Sequence, residues 1–178
     1  MGTGVGKPYL FYNESRNMVA QEQRNTCLAA CFRQFAEDRG VVIAEEKLIT
    51  QLVQVFENGI HLEELEKVIS IYLPQLRYTL GLFTDSQVLP DLERSISLLR
   101  SVDNMHQSSW IAGVLPTPTS KAGHAVIVDR VVGDLVYIRD PWHPEFGVSS
   151  GAGIQGVISV TDFAEIWKRA EFGGLYEF

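Results

Sequence analysis

Both cysteines of the chain fall in one short stretch, QEQRNTCLAAC, residues 21 to 31. Cys27 stands where a helical pattern of apolar residues begins, and Cys31 follows one turn later. A thiol at a helix N-terminus is chemically distinctive, because unpaired backbone N–H groups and the helix macrodipole favour the thiolate over the thiol. Such a nucleophile needs a base within hydrogen-bond reach and a third group that holds the base in its productive tautomer. GHAVIVDRVVGDLVYIRDP, further along the chain, offers His124 and Asp140 for those two roles. Each residue also has a plainer reading. Cysteine is among the most buried residue types, which is the assignment for Cys31; a histidine can be a polar strand end, and Asp before Pro is an ordinary turn former. What singles the three out is their order, with the thiol opening a helix and the other two sharing one hairpin.

Other uses of the cysteines fit less well. Two thiols on adjacent turns of one helix point their Cβ vectors outward side by side, which suits a mutual disulfide poorly. The 4 histidines, His61, His106, His124 and His143, are scattered and do not complete a four-ligand zinc pattern, so no metal and no cofactor is expected.

The hairpin that must position His124 and Asp140 turns at Gly133 and Asp134, the residue chemistry of a two-residue loop. In an unbroken ladder about that turn, position 124 lies opposite 143. Because side chains alternate faces, Asp140 then falls on the face opposite to His124. A bulge, or an early end to the strand before Pro141, is required if the two are to meet.

The helix that carries Cys27 starts after Asn25 or Thr26, either a good cap, and runs to the DRG stop. AEEKLITQLVQVFENG and HLEELEKVISIYL read as two further helices broken at Asn58 and Gly59. RYTLGLF reads as a strand, VLPDLERSISLLRS as an amphipathic helix and SWIAGVL as a short apolar strand. Gly147, Gly151, Gly153 and Gly156 mark residues 141 to 156 as a flexible loop, and GVISVTDFAEIWKR reads as a strand and then a helix capped by Thr161 or Asp162. Residues 1 to 20 have no sustained period and read as a leader or linker, with one domain over 21 to 178. Helices first and an antiparallel sheet second is the pattern of an α+β fold with a cleft between its halves.

At 178 residues, 46% hydrophobic and 21% charged, the chain is long enough for one buried core. The net charge of -7 and the lack of a Lys/Arg cluster argue against nucleic acid and anionic membranes as partners. No apolar run approaches the roughly 20 residues of a membrane-spanning helix, and the first residues lack a secretory signal, so a cytoplasmic location is expected.

The stretches QEQRNTCLAAC, AGHAVIVDRVVGDLVYIRDP and VISVTDFAEIWKR resemble the papain-like cysteine peptidases of the C39 type, which remove leader peptides after a double glycine. The resemblance covers roughly residues 21 to 170, including Asp162, Phe163 and Trp167 of its closing D-F-x-x-x-W helix. It implies a papain-like fold, Cys27 as nucleophile, His124 as general base and acid, and Asp140 as the residue orienting the imidazole. It also implies an oxyanion donor at Gln21, with Gln23 the neighbouring alternative. Thr26-Cys27-Leu28 departs from the Asp-Cys-Gly usual around the thiol, which predicts a reshaped space beside the nucleophile and a different target.

The resemblance implies a protein or peptide substrate, cut after Gly-Gly. The chain shows neither a transmembrane segment nor the P-loop of the exporter that commonly follows such domains, so a free-standing or an excised domain is expected. A bacterial effector toxin acting in the cytoplasm of a target cell, with a cognate immunity protein as partner, is the role this suggests. A glutamine deamidase or acyl transferase would use the same Cys, His and Asp. An inactive peptidase-like binding module would be expected to have lost the nucleophile, and Cys27 is present.

Overall fold

The structure is a computed structural model that describes residues 10–11, 17–21, 25–44, 47–48, 51–52, 61–81, 91–105, 108–119, 123–142 and 153–177. Its elements are β1 (Leu10–Phe11), α1 (Cys27–Glu37), a 3-10 turn (Leu62–Glu64) leading into α2 (Leu65–Tyr72), β2 (Tyr78–Leu80) and α3 (Leu92–Met105). They continue with β3 (Trp110–Val114), β4 (His124–Val132), β5 (Leu135–Asp140), β6 (Ile154–Ser159), α4 (Val160–Arg169) and β7 (Gly174–Glu177). Among the described residues the strands form one sheet in the order β1-β6-β5-β4-β3-β7-β2, with every pairing antiparallel. This is the α+β architecture expected from the segregation of helical and strand patterns.

Alternation along the strands builds two cores, one on each face of the sheet. Ala125 and Ile127 of β4, with Ile111 and Leu175, pack against Leu28, Cys31, Phe32 and Phe35 of α1. Val126 and Val128 face the other way, with Val136, Ile138 and the aromatic group Trp110, Phe163, Trp167 and Tyr176 under α3 and α4. Cys31 is fully buried, as its packing assignment requires. Trp167 Nε1 donates to Tyr176 Oη at 3.0 Å, and Tyr176 Oη donates to Phe172 O at 2.7 Å, so the polar ends of Trp167 and Tyr176 are satisfied.

Several local expectations change. The N-cap of α4 is Ser159, whose Oγ accepts from Asp162 N–H at 3.0 Å, rather than Thr161 or Asp162. Gly156 lies inside β6 opposite Ile138, so the glycine-containing stretch is strand from Ile154 onward, while Gly147 and Gly151 lie outside the described residues. β7 was not expected from periodicity; it is short and enters the sheet between β3 and β2. Close approach explains its glycine start, since a Cβ on Gly174 would stand 2.5 Å from Ile111 O. The 44–59 helix is described only at 47–48 and 51–52, where Leu52 N–H donates to Leu48 O at 2.7 Å.

Candidate active site

α1 runs over one face of β3 and β4, which brings its first residue, Cys27, to the start of β4. Thr26 is the N-cap and makes no side-chain cap bond, and the first turn holds no acidic residue. The partial positive charge of the helix end is therefore left to act on whatever lies at Cys27. Cys27 is a free, half-buried thiol.

His124 is the first residue of β4 and Asp140 the last of β5, and both are buried. His124 Nε2 lies 2.7 Å from Asp140 Oδ1. The same oxygen accepts from Trp142 N–H at 2.8 Å, which holds the carboxylate beyond the strand end. With Nε2 engaged, Nδ1 is the ring nitrogen left for the hydrogen bond that joins His124 to Cys27.

The two residues share a face because β4 carries a bulge. Near the turn Val132 pairs with Leu135 and Val131 with Val136, but beyond Asp129 the register shifts, so Val128 opposes Ile138 and Ile127 opposes Arg139. Extending the shifted register sets Asp140 opposite position 126, two residues from His124 and hence on its face. An unbulged ladder would instead set Asp129 opposite Ile138, on the apolar side of the sheet. A carboxylate there would be buried without a partner, at a cost of several kcal/mol. The bulge turns Asp129 to Arg139, whose Nε donates to its two carboxylate oxygens at 3.1 and 3.0 Å.

The electrostatics follow from these contacts. Burial alone pushes the Cys27 thiol up, but the hydrogen bond and charge of His124 and the Ala125 backbone amide outweigh it and bring the thiol below its ordinary 9.0. Burial likewise works against charge on His124, yet the charge and hydrogen bond of Asp140, with Cys27 behind them, raise the imidazole to about 10. Each partner stabilises the other's ion. A thiolate and an imidazolium in contact, with a carboxylate on the far ring nitrogen, can attack a carbonyl and pass a proton to a leaving group.

Gln21 sits at the same sheet end. Its backbone N–H donates to Pro141 O at 2.9 Å, its neighbour segment is tied by Gly153 N–H to Met18 O at 2.7 Å, and it is buried. Gln23 lies outside the described residues. Leu28 is 5% exposed and packs into the core beneath α1, so its bulk is turned into that core rather than into open space beside the thiol.

Sequence reading missed the ion cluster next to the site. Arg139 is fully buried, binds Asp129 and, through Nη2 at 2.5 Å, Asp38 at the end of α1, and donates from Nη1 to Asn17 O at 2.8 Å. Its signal is visible in retrospect: HAVIVDRVV and LVYIRD each place a charge inside an apolar strand, and a charge is buried only with a partner.

The folded chain can be set beside solved structures. It superposes on the peptidase domain of Streptococcus ComA, a bi-functional ABC transporter involved in a quorum-sensing pathway, with a TM-score of 0.63 and 15% identity, covering 91% of this chain and 97% of that one. It is also similar to a protein described as a C39-like peptidase from Bacillus anthracis, with a TM-score of 0.65 and 13% identity over 92% of this chain and 94% of that one. No protein-family model matches the chain, and no curated protein matches its sequence. The fold is that of the papain-like C39 peptidases. Among the described residues no helix is long and apolar enough to cross a membrane.

Proposed function

We propose that this chain is a cysteine peptidase acting through Cys27, His124 and Asp140. The observation that carries the reading is the chain of contacts itself: a thiol at a helix start, hydrogen-bonded to an imidazole whose other nitrogen lies 2.7 Å from a buried carboxylate. The Cys27 thiolate attacks the scissile carbonyl carbon, and the resulting oxyanion is held by the Gln21 side-chain amide and the Cys27 backbone N–H. A donor of this kind contributes about 10²- to 10³-fold in rate. The imidazolium of His124 gives its proton to the leaving amine, and a thioester remains on Cys27. Water, deprotonated by His124, then attacks the thioester and regenerates the thiol.

The proposed peptidase domain spans residues 21–178, with Leu10–Phe11 from the preceding leader laid on the sheet edge as β1. A protein or peptide is the substrate class, with a preference for Gly-Gly before the cut and a toxin role in a target cell as its finer form. Identifying new N-termini in a bacterial proteome after exposure to the wild type and to Cys27→Ala tests the activity. Termini that depend on Cys27 and follow Gly-Gly are expected. Unchanged termini with deamidated glutamines would transfer the same site to amide hydrolysis without chain cleavage. Expression in bacteria tests the toxin role and the need for an immunity protein, because growth unaffected at measurable soluble expression would contradict both.

A further inference from the structure

The three reacting groups belong to separate pieces of the fold. Cys27 begins α1, His124 begins β4 before the bulge, and Asp140 ends β5 beyond it. Their mutual placement depends on two settings: the register of β4 against β5, and the docking of α1 on the sheet. One buried side chain touches both.

We propose that Arg139 is a positioning residue for the Cys27, His124 and Asp140 group, setting strand register through Asp129 and helix docking through Asp38. The inference rests on the cysteine-nucleophile reading of the site. Arg139 precedes Asp140 and lies on the α1 side of the sheet, opposite Ile127. Its Nε side grips both oxygens of the bulged Asp129, and its Nη2 lies 2.9 Å from Asp129 Oδ1 and 2.5 Å from Asp38 Oδ2. Asp38 is the C-cap of the helix that carries the nucleophile, and its Oδ1 also accepts from Gln34 Nε2 of that helix at 3.0 Å. Gln34 Oε1 in turn accepts from Val19 N–H at 3.1 Å, while Arg139 Nη1 donates to Asn17 O. The guanidinium thus joins α1, the bulge and β5 to the segment that leads to Gln21.

Register is where the consequence is sharpest. A one-residue slip moves every side chain of a strand to the opposite face, and here it would separate Asp140 from His124. In the slipped ladder Arg139 would oppose Val128 on one face while Asp129 would oppose Ile138 on the other, so the two charges would be parted and Asp129 would enter the apolar core away from α1. The forked geometry of arginine is needed for the observed arrangement, since one ammonium cannot reach two carboxylates and a carbonyl in the same plane.

The test uses the full chain and iodoacetamide, with labelling of the Cys27 peptide followed by mass spectrometry and the buried Cys31 as internal reference. Arg139→Met should label about tenfold or more slowly than the wild type at neutral pH, because the thiolate is no longer held by His124, while far-UV circular dichroism is retained. Arg139→Lys should recover part of the rate. Leu99→Ala opens a cavity in the core on the other face and should lower Tm without slowing labelling. A folded Arg139→Met that labels within about twofold of the wild type, or a Leu99→Ala that slows as much, overturns the proposal. Should Arg139→Met fail to fold, Asp38→Asn decides: slowed labelling supports the positioning role, and wild-type labelling rejects it. A wild type that labels no faster than an ordinary thiol sinks the nucleophile reading instead, which keeps the two failures apart.

Discussion

Asp140 Oδ1 lies 2.7 Å from His124 Nε2 and takes a second hydrogen bond from Trp142 N–H. The carboxylate is thereby aimed from both sides, and its charge faces the imidazole in a site where it is 1% exposed. Asp140→Asn keeps the shape and removes the charge. Labelling of Cys27 by iodoacetamide at neutral pH should slow about tenfold or more, and peptide turnover by about 10²- to 10⁴-fold. Wild-type labelling by this variant would show that the carboxylate does not hold the imidazolium.

The pH dependence has two limbs. The thiol is held below 9.0 and the imidazole raised to about 10, so turnover should rise through the lowered thiol value and decline as His124 loses its proton near the upper one. Stability follows the same ionisations. A folded imidazole raised above its unfolded value of 6.5 contributes stability that is full below that value and lost as pH rises through about 10. Cys27, lowered from 9.0, contributes in the opposite sense: fully above 9.0, and less as pH falls through its folded value. Denaturant unfolding of the wild type and Asp140→Asn over this range isolates the histidine part. Their difference should shrink from 6.5 toward about 10, and a difference that grows there contradicts the assignment.

Gly153 has no room for a methyl group. A Cβ there would stand 2.4 Å from Asp140 O, 2.7 Å from Met18 Cγ and 3.2 Å from Pro141 Cα. Two of these contacts are backbone, so the end of β5 must shift. Gly153→Ala should cost about 1–3 kcal/mol in urea unfolding and slow Cys27 labelling as well. Full reactivity in a destabilised variant would mean that Asp140 moves without consequence.

Ser159→Ala supplies the contrast. It removes the Oγ that caps α4 by accepting from Asp162 N–H at 3.0 Å, far along the chain from the thiol's contacts. A loss of about 1 kcal/mol is expected, with Cys27 labelling unchanged. Slower labelling here would show that reactivity tracks general stability rather than the local site.

The legible parts of this protein were those carried by local pattern. The β4 and β5 hairpin was readable because Gly133 takes the left-handed φ of +59° that its turn requires, and apolar residues run on both sides of it. The amphipathic helices and the polarity of the hairpin placed Cys27 and His124 at element starts and Asp140 at an end. β7 was not legible, because a four-residue strand has too little period to separate from a turn. The bulge was legible only as a need: parity required a correction between His124 and Asp140 without naming Asp129.

The amino-acid order by itself determined which groups are available, a thiol at a helix start and an imidazole and carboxylate at the same end of one hairpin. Local hydrogen bonding and alternation suffice for that, since each acts over a few residues. Tertiary structure alone decided that these groups meet. Asp38 at the end of α1 lies 101 residues from Arg139 of the β4–β5 hairpin, and the buried charges of Arg139 and Asp129 are stable there only in contact with their partners. That long-range requirement selects the register and the helix position, and with them the geometry of the site.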